Sequence, residues 1–83
     1  MMKNDKSGSQ ENQSPLKKLR EEAGLSQEEL ARRVGVSVTT ISRWERGASS
    51  PMLTVPQMKA LCKALGKSLD ELPDEFGLPN DEK

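Results

Sequence analysis

Ser26–Gly47, SQEELARRVGVSVTTISRWERG, decides the fold, because its apolar spacing changes phase once, at a glycine. Leu30, Ala31 and Val34 recur at i, i+1 and i+4, one face of a helix, and Gly35 ends that helix. Glycine suits the position because it enters the left-handed backbone region without a Cβ penalty. After Val36, Ser37 is placed to cap a second helix in which Ile41 and Trp44 share the inward face. Thr39, Ser42, Arg43 and Arg46 follow i, i+3, i+4, i+7, an outward stripe of polar and basic groups. Ala31 keeps the crossing of the two helices close, where a bulky side chain would hold them apart. The run therefore predicts a helix-turn-helix.

Working outward, Ser14-Pro15 starts a first helix, since serine caps and proline is tolerated at the first helical position. That helix runs to about Ala23, with Leu16, Leu19 and Ala23 inward and Gly24 as its stop. Ser26 followed three residues later by Glu29 reads as a capping box, and Glu28 and Glu29 favour the positive end of the helix dipole, so both acids read as structural. Gly47–Pro51 breaks the chain, and Thr54 with Gln57 opens a fourth helix with Met58, Leu61, Cys62 and Leu65 buried and Gly66 at its end. Ser68–Leu72 is expected to form a short fifth helix that buries Leu69 and Leu72 before Pro73. No segment reads as a strand. The expectation is an all-α, compact five-helix bundle with the helix-turn-helix at helices 2 and 3. Its expected core is Leu16, Leu19, Leu25, Leu30, Ala31, Val34, Val36, Ile41, Trp44, Met58, Leu61, Leu65, Leu69 and Leu72.

Eighty-three residues allow one small domain, which buries on the order of 60% of its unfolded surface. Residues 1–13 are expected to be a disordered N-terminal tail, residues 14–72 the domain, and residues 73–83 an acidic C-terminal tail. No apolar run suits a membrane span or a signal peptide, so a cytoplasmic location is expected. One cysteine, Cys62, excludes an internal disulfide and reads as a small buried hydrophobe; the lack of histidine excludes a zinc finger and a Cys-His nucleophile. No glycine-rich phosphate loop or metal-ligand cluster is present. Neither catalytic residues nor a cofactor or metal are expected.

Net charge is zero and the pI is 6.3, which taken alone argues against nucleic acid. The distribution reverses that reading. Pro15–Leu69 holds ten Lys/Arg against five Glu, a balance of +5, and Asp70–Lys83 compensates with −5. On the outward stripe, Arg43 offers a planar fork that can bond guanine O6 and N7 together, discriminating by about 1–3 kcal/mol, and the methyls of Val38 and Thr39 suit the thymine methyl. Arg20, Arg46, Lys17 and Lys18 are candidates for sequence-independent phosphate contacts. Arg32 and Arg33 read as solvent-facing, and Trp44 as core.

These residues resemble the Cro/repressor-type, or XRE, helix-turn-helix regulators. LKKLREEAGLSQEELARRVGVSVTTISRWERG over Leu16–Gly47 is close to that family's signature, and LCKALGKSLDEL fits its fourth and fifth helices. The resemblance implies a phage-repressor type of bundle whose recognition helix, about Ser37–Arg46, enters the major groove with Val38, Thr39, Ser42 and Arg43 toward the bases. It implies that Gln27 bonds a phosphate and braces the recognition helix. It also implies a pair between Arg20 and Glu45 joining the first helix to the recognition helix. Ala48–Val55 departs from the pattern: it is about two residues longer and lacks the Lys/Arg often found after the glycine.

The expected function is a sequence-specific double-stranded DNA-binding transcriptional regulator, a repressor occupying a promoter and acting as a homodimer on DNA. Apolar residues near Leu69, Leu72 or Phe76 are the expected self-association surface. The alternative is an antitoxin or adaptor module that acts mainly through a protein partner at its C-terminal tail. In the tail PDEFGLP, Phe76 beside Leu78 either packs on its own domain, stays disordered, or docks a partner.

Overall fold

The structure, a computed structural model, describes residues 14–77. Four α-helices follow in order: α1 Pro15–Glu22, α2 Gln27–Val34, α3 Val38–Arg46 and α4 Val55–Leu65. No strand occurs among the described residues. The disorder expected of residues 1–13 and the acidic end from residue 78 onward lie outside the described residues.

The caps explain the boundaries. Ser14 Oγ accepts the Lys17 N–H, Ser26 Oγ the Glu29 N–H, and Ser37 Oγ the Thr40 N–H, each satisfying a donor that a helix start leaves without an intrahelical partner. At α4 the capping box is reciprocal: Thr54 Oγ1 accepts from the Gln57 N–H and Gln57 Oε1 from the Thr54 N–H. At α2 only the Ser26 half forms, because the Glu29 carboxylate turns to Arg32 and Arg33. Gly35, with φ +89°, closes α2 by donating to the Ala31 carbonyl at 2.8 Å, and the chain then turns directly into α3.

The expected fifth helix is a short 3₁₀ turn, Leu69–Glu71, so the helix count is corrected to four. Its bonds are Glu71 N–H to the Ser68 carbonyl and Leu72 N–H to the Leu69 carbonyl, both three residues apart. Pro73 holds Leu72 extended, at ψ 143°, before an α-helical turn can close. Leu69 consequently turns outward and is 61% exposed, against its expected place in the core. Ala23, expected inward, is the exposed C-cap of α1.

α2 is the hub, packing on α3 and α4, while α1 packs on α3. Leu16, Leu30, Ile41 and Leu61 are fully enclosed, with Ala31, Val34, Trp44, Leu65 and Phe76 buried around them. Each enclosed leucine or isoleucine contributes about 1.5–3 kcal/mol. Leu19, Leu25, Val36, Met58 and Leu72 pack at the margin, together with Leu53 and Ala64, which periodicity had not placed there. The packed unit continues past Leu72 through a C-terminal strap, residues 73–77. The Leu16 N–H donates to the Phe76 carbonyl at 3.1 Å, and the Phe76 ring meets the Trp44 ring edge-on at 6.0 Å.

Candidate nucleic-acid interface

The inward side of α3 is locked by a polar network as well as by Ile41 and Trp44. Arg20 of α1 donates from Nε to Glu45 Oε2 at 2.6 Å, from Nη2 to Glu45 Oε1 at 3.3 Å, and from Nη1 to the Leu25 carbonyl at 2.8 Å. Gln27, at the start of α2, donates from Nε2 to Glu45 Oε1 at 2.9 Å. One carboxylate thus joins α1, α2 and α3. The paired side chains of Arg20 and Glu45 are only 9% and 5% exposed, so their mutual attraction is weakly screened and their geometry is constrained.

This network corrects one expectation. By charge Arg20 is a phosphate candidate, but its guanidinium is enclosed, with all three nitrogens donating inside the protein. The Arg20–Glu45 pair implied by the family resemblance is present, and Gln27 takes the bracing position. Gln27 is half-buried, with the second hydrogen of its amide not required by the Glu45 bond.

The outward side of α3 presents Val38, Thr39, Arg43 and Arg46, all exposed, and Ser42, half-buried. Arg46 Nε donates to Ser42 Oγ at 3.3 Å, which confirms that the i, i+4 pair shares one stripe. Val38 stands at the first turn with 37% of its surface open. Lys17 and Lys18 are exposed on α1, the helix that packs against α3. Arg32 and Arg33 are exposed on α2 and both bond Glu29, whose carboxyl they hold below the usual carboxylate range. Their charge is therefore partly met within the protein.

Residues 73–77 supply the part of the site that sequence reading left open. Phe76 is buried and packs on its own domain, which removes it as the aromatic of a partner-docking strip. Gly77 lies against Gly47, the C-cap of α3. Spacing could not reveal this approach, since it joins two glycines distant in sequence. Beside it, Ser49, Ser50 and Pro51 face Leu72, Asp74 and Glu75 across an open cavity of about 560 Å³. A second hollow of about 370 Å³ is bordered by Val55, Met58, Lys59, Cys62 and Leu69, placing the half-buried Cys62 beside apolar neighbours. Among the described residues no helix is long and apolar enough to cross a membrane.

No solved structure gives a significant match to the chain. A protein of Methanothermobacter thermautotrophicus named "Uncharacterized HTH-type transcriptional regulator" is 41% identical over 66 residues, covering 80% of this chain and 90% of that protein. The family model described as Helix-turn-helix matches residues 16–72, from the first core leucine of α1 to the end of the 3₁₀ turn. With two capped helices meeting at Gly35 and that match spanning all four helices, the chain belongs to the XRE-type helix-turn-helix family.

Proposed function

We propose that the chain is a sequence-specific double-stranded DNA-binding transcriptional regulator that reads the major groove with α3 and represses by occupying a promoter. The observation that carries this reading is the division of α3 into two faces. Ile41, Trp44 and Glu45 are buried, whereas Val38, Thr39, Arg43 and Arg46 stand open, with Ser42 between them. A helix anchored by buried groups on one side and offering hydroxyls, methyls and a guanidinium on the other suits the base edges of a groove wide enough for a helix. Membership of a family with a relative named as a transcriptional regulator supports the same ligand.

Arg43 is the bidentate reader of guanine, with Val38, Thr39 and Ser42 as the other base-facing groups. Arg46, Lys17 and Lys18 supply phosphate contacts, and Gln27 adds one through its second amide hydrogen. Two copies bind half-sites about one helical turn apart. The apolar surface for that pairing is Leu69 with Val55 and Met52, which are 61%, 68% and 86% exposed. Phe76 is withdrawn from it by burial, and Leu72, half-buried, packs against the core. The antitoxin or adaptor reading loses its strongest residue in the same way.

Three exposed cations per half-site set the salt dependence. A dimer carrying Lys17, Lys18 and Arg46 twice should show log Kobs falling against log salt with a slope of about −5. Titration of a duplex selected from a random pool, repeated across salt concentrations, measures it; a slope near zero would count against DNA as the ligand.

A further inference from the structure

We propose that Phe76 and Gly77 are positioning residues for the recognition helix: the strap 73–77 sets the pose of α3 and thereby the affinity for a cognate duplex. This rests on the reading of α3 as a DNA-reading helix.

The first observation is a backbone approach with no room for a side chain. A Cβ added at Gly77 would meet Gly47 Cα and Gly47 N at 2.3 Å and the Trp44 carbonyl oxygen at 2.7 Å. All three are main-chain atoms, so no rotamer change relieves the clash. Gly77 is not among the glycines with positive φ, so the contact, and not its own conformation, requires glycine here.

The second observation concerns what Gly47 holds. It caps α3 at φ +75°, donating to the Arg43 and Trp44 carbonyls, and the next residue, Ala48, donates to the Arg43 carbonyl at 2.9 Å. The strap therefore abuts a cap whose bonds converge on the backbone of Arg43, the proposed guanine reader. Its other end reaches α1. The Phe76 carbonyl accepts the Leu16 N–H, a first-turn donor with no partner inside its own helix, and α1 carries the Arg20 that holds Glu45 of α3. The buried Phe76 ring against Trp44 fills the space between these two attachments. Residues 73–77 thus connect both supports of α3, and a bidentate base contact tolerates only a few tenths of an ångström of displacement.

The test compares the full-length protein with Gly77→Ala on a selected duplex and on a scrambled duplex at one salt concentration, with amide spectra recorded for each. The expected result for Gly77→Ala is a folded protein whose amide shifts concentrate at residues 43–48. Its cognate affinity should fall about tenfold, the size of one weakened bidentate contact, while its scrambled-duplex affinity stays within about twofold, since phosphate contacts carry that term. Should Gly77→Ala fail to fold, Phe76→Leu keeps an apolar plug. It is expected to speed amide exchange at Gly47 and Ala48 and to lower cognate affinity more than scrambled affinity. Unchanged cognate affinity despite displaced amides at residues 43–48 overturns the inference, as does an equal loss on both duplexes. Failure of the unaltered protein to bind any duplex is a different result: it sinks the DNA reading itself, and the strap's role falls with it.

Discussion

α3 is held in place by two supports of opposite chemistry. On one side lies the polar support, where Glu45 takes hydrogen bonds from Arg20 and Gln27 in a nearly enclosed site. At the C-terminal end lies an apolar and steric support, where Phe76 packs on Trp44 and Gly77 abuts Gly47. The polar support draws on residues within the helix-turn-helix and its preceding helix. The apolar support draws on a segment that begins after the family match ends at residue 72. The contacts on α3 thus extend past the matched family segment: Phe76 and Gly77 pack on Trp44 and Gly47 from outside it.

The two supports should fail differently. Glu45→Ala leaves the Arg20 guanidinium enclosed without its counter-charge and is expected to destabilise the fold by about 3–5 kcal/mol. Replacing both partners by methionine should recover much of that loss, because no orphaned charge remains, and urea denaturation of the single and double variants checks both statements. Phe76→Ala removes a buried ring near the end of the described chain and should cost about 3 kcal/mol, with no comparable rescue by a second substitution. If Phe76→Ala proves nearly neutral, the strap is not a support of α3.

A smaller effect separates both supports from the exposed ion pairs. The Arg32 and Arg33 guanidiniums lower the Glu29 carboxyl from its ordinary 4.5, and the Ser68 backbone N–H lowers the Glu71 carboxyl from the same value. Near pH 4.5 the unfolded chain then binds more protons at these groups than the folded chain does, so their contribution is present above that pH and is lost on further acidification. Glu71 is exposed and Glu29 lies half-buried at the surface, so the effect should be slight. Glu29→Gln and Glu71→Gln should each flatten the acid limb of a stability profile recorded between pH 6 and pH 3. A steeper limb in either variant would reverse the assigned sign.

Much of α1–α4 is legible in the sequence because caps and periodicity act locally. Ser14, Ser26, Ser37 and Thr54 each cap the helix they announce, and Leu30, Ala31, Val34, Ile41 and Trp44 are buried as their spacing predicts. The departures come from contacts that spacing does not encode. Leu69 lies outward because Pro73 cuts a helical turn down to a 3₁₀ turn. Arg20 looks like a surface cation by type, and its partner on α3, twenty-five residues away, follows from the family resemblance and not from spacing. Phe76 carries no periodic signal at all, and only the folded path of the strap places its ring on Trp44. On the outward face of α3, exposure follows the predicted stripe at Thr39, Arg43 and Arg46, with Ser42 half-buried.

The most direct measurement is selection of preferred sequences from random duplex DNA, run in parallel with the unaltered protein and with Arg43→Ala. A preferred site is expected for the unaltered protein, and Arg43→Ala should relax discrimination at one guanine-containing base pair by about 1–3 kcal/mol while leaving the other positions in place. An unchanged preference at every position in Arg43→Ala, or no preferred duplex for the unaltered protein, would contradict the account of α3 as a major-groove reader.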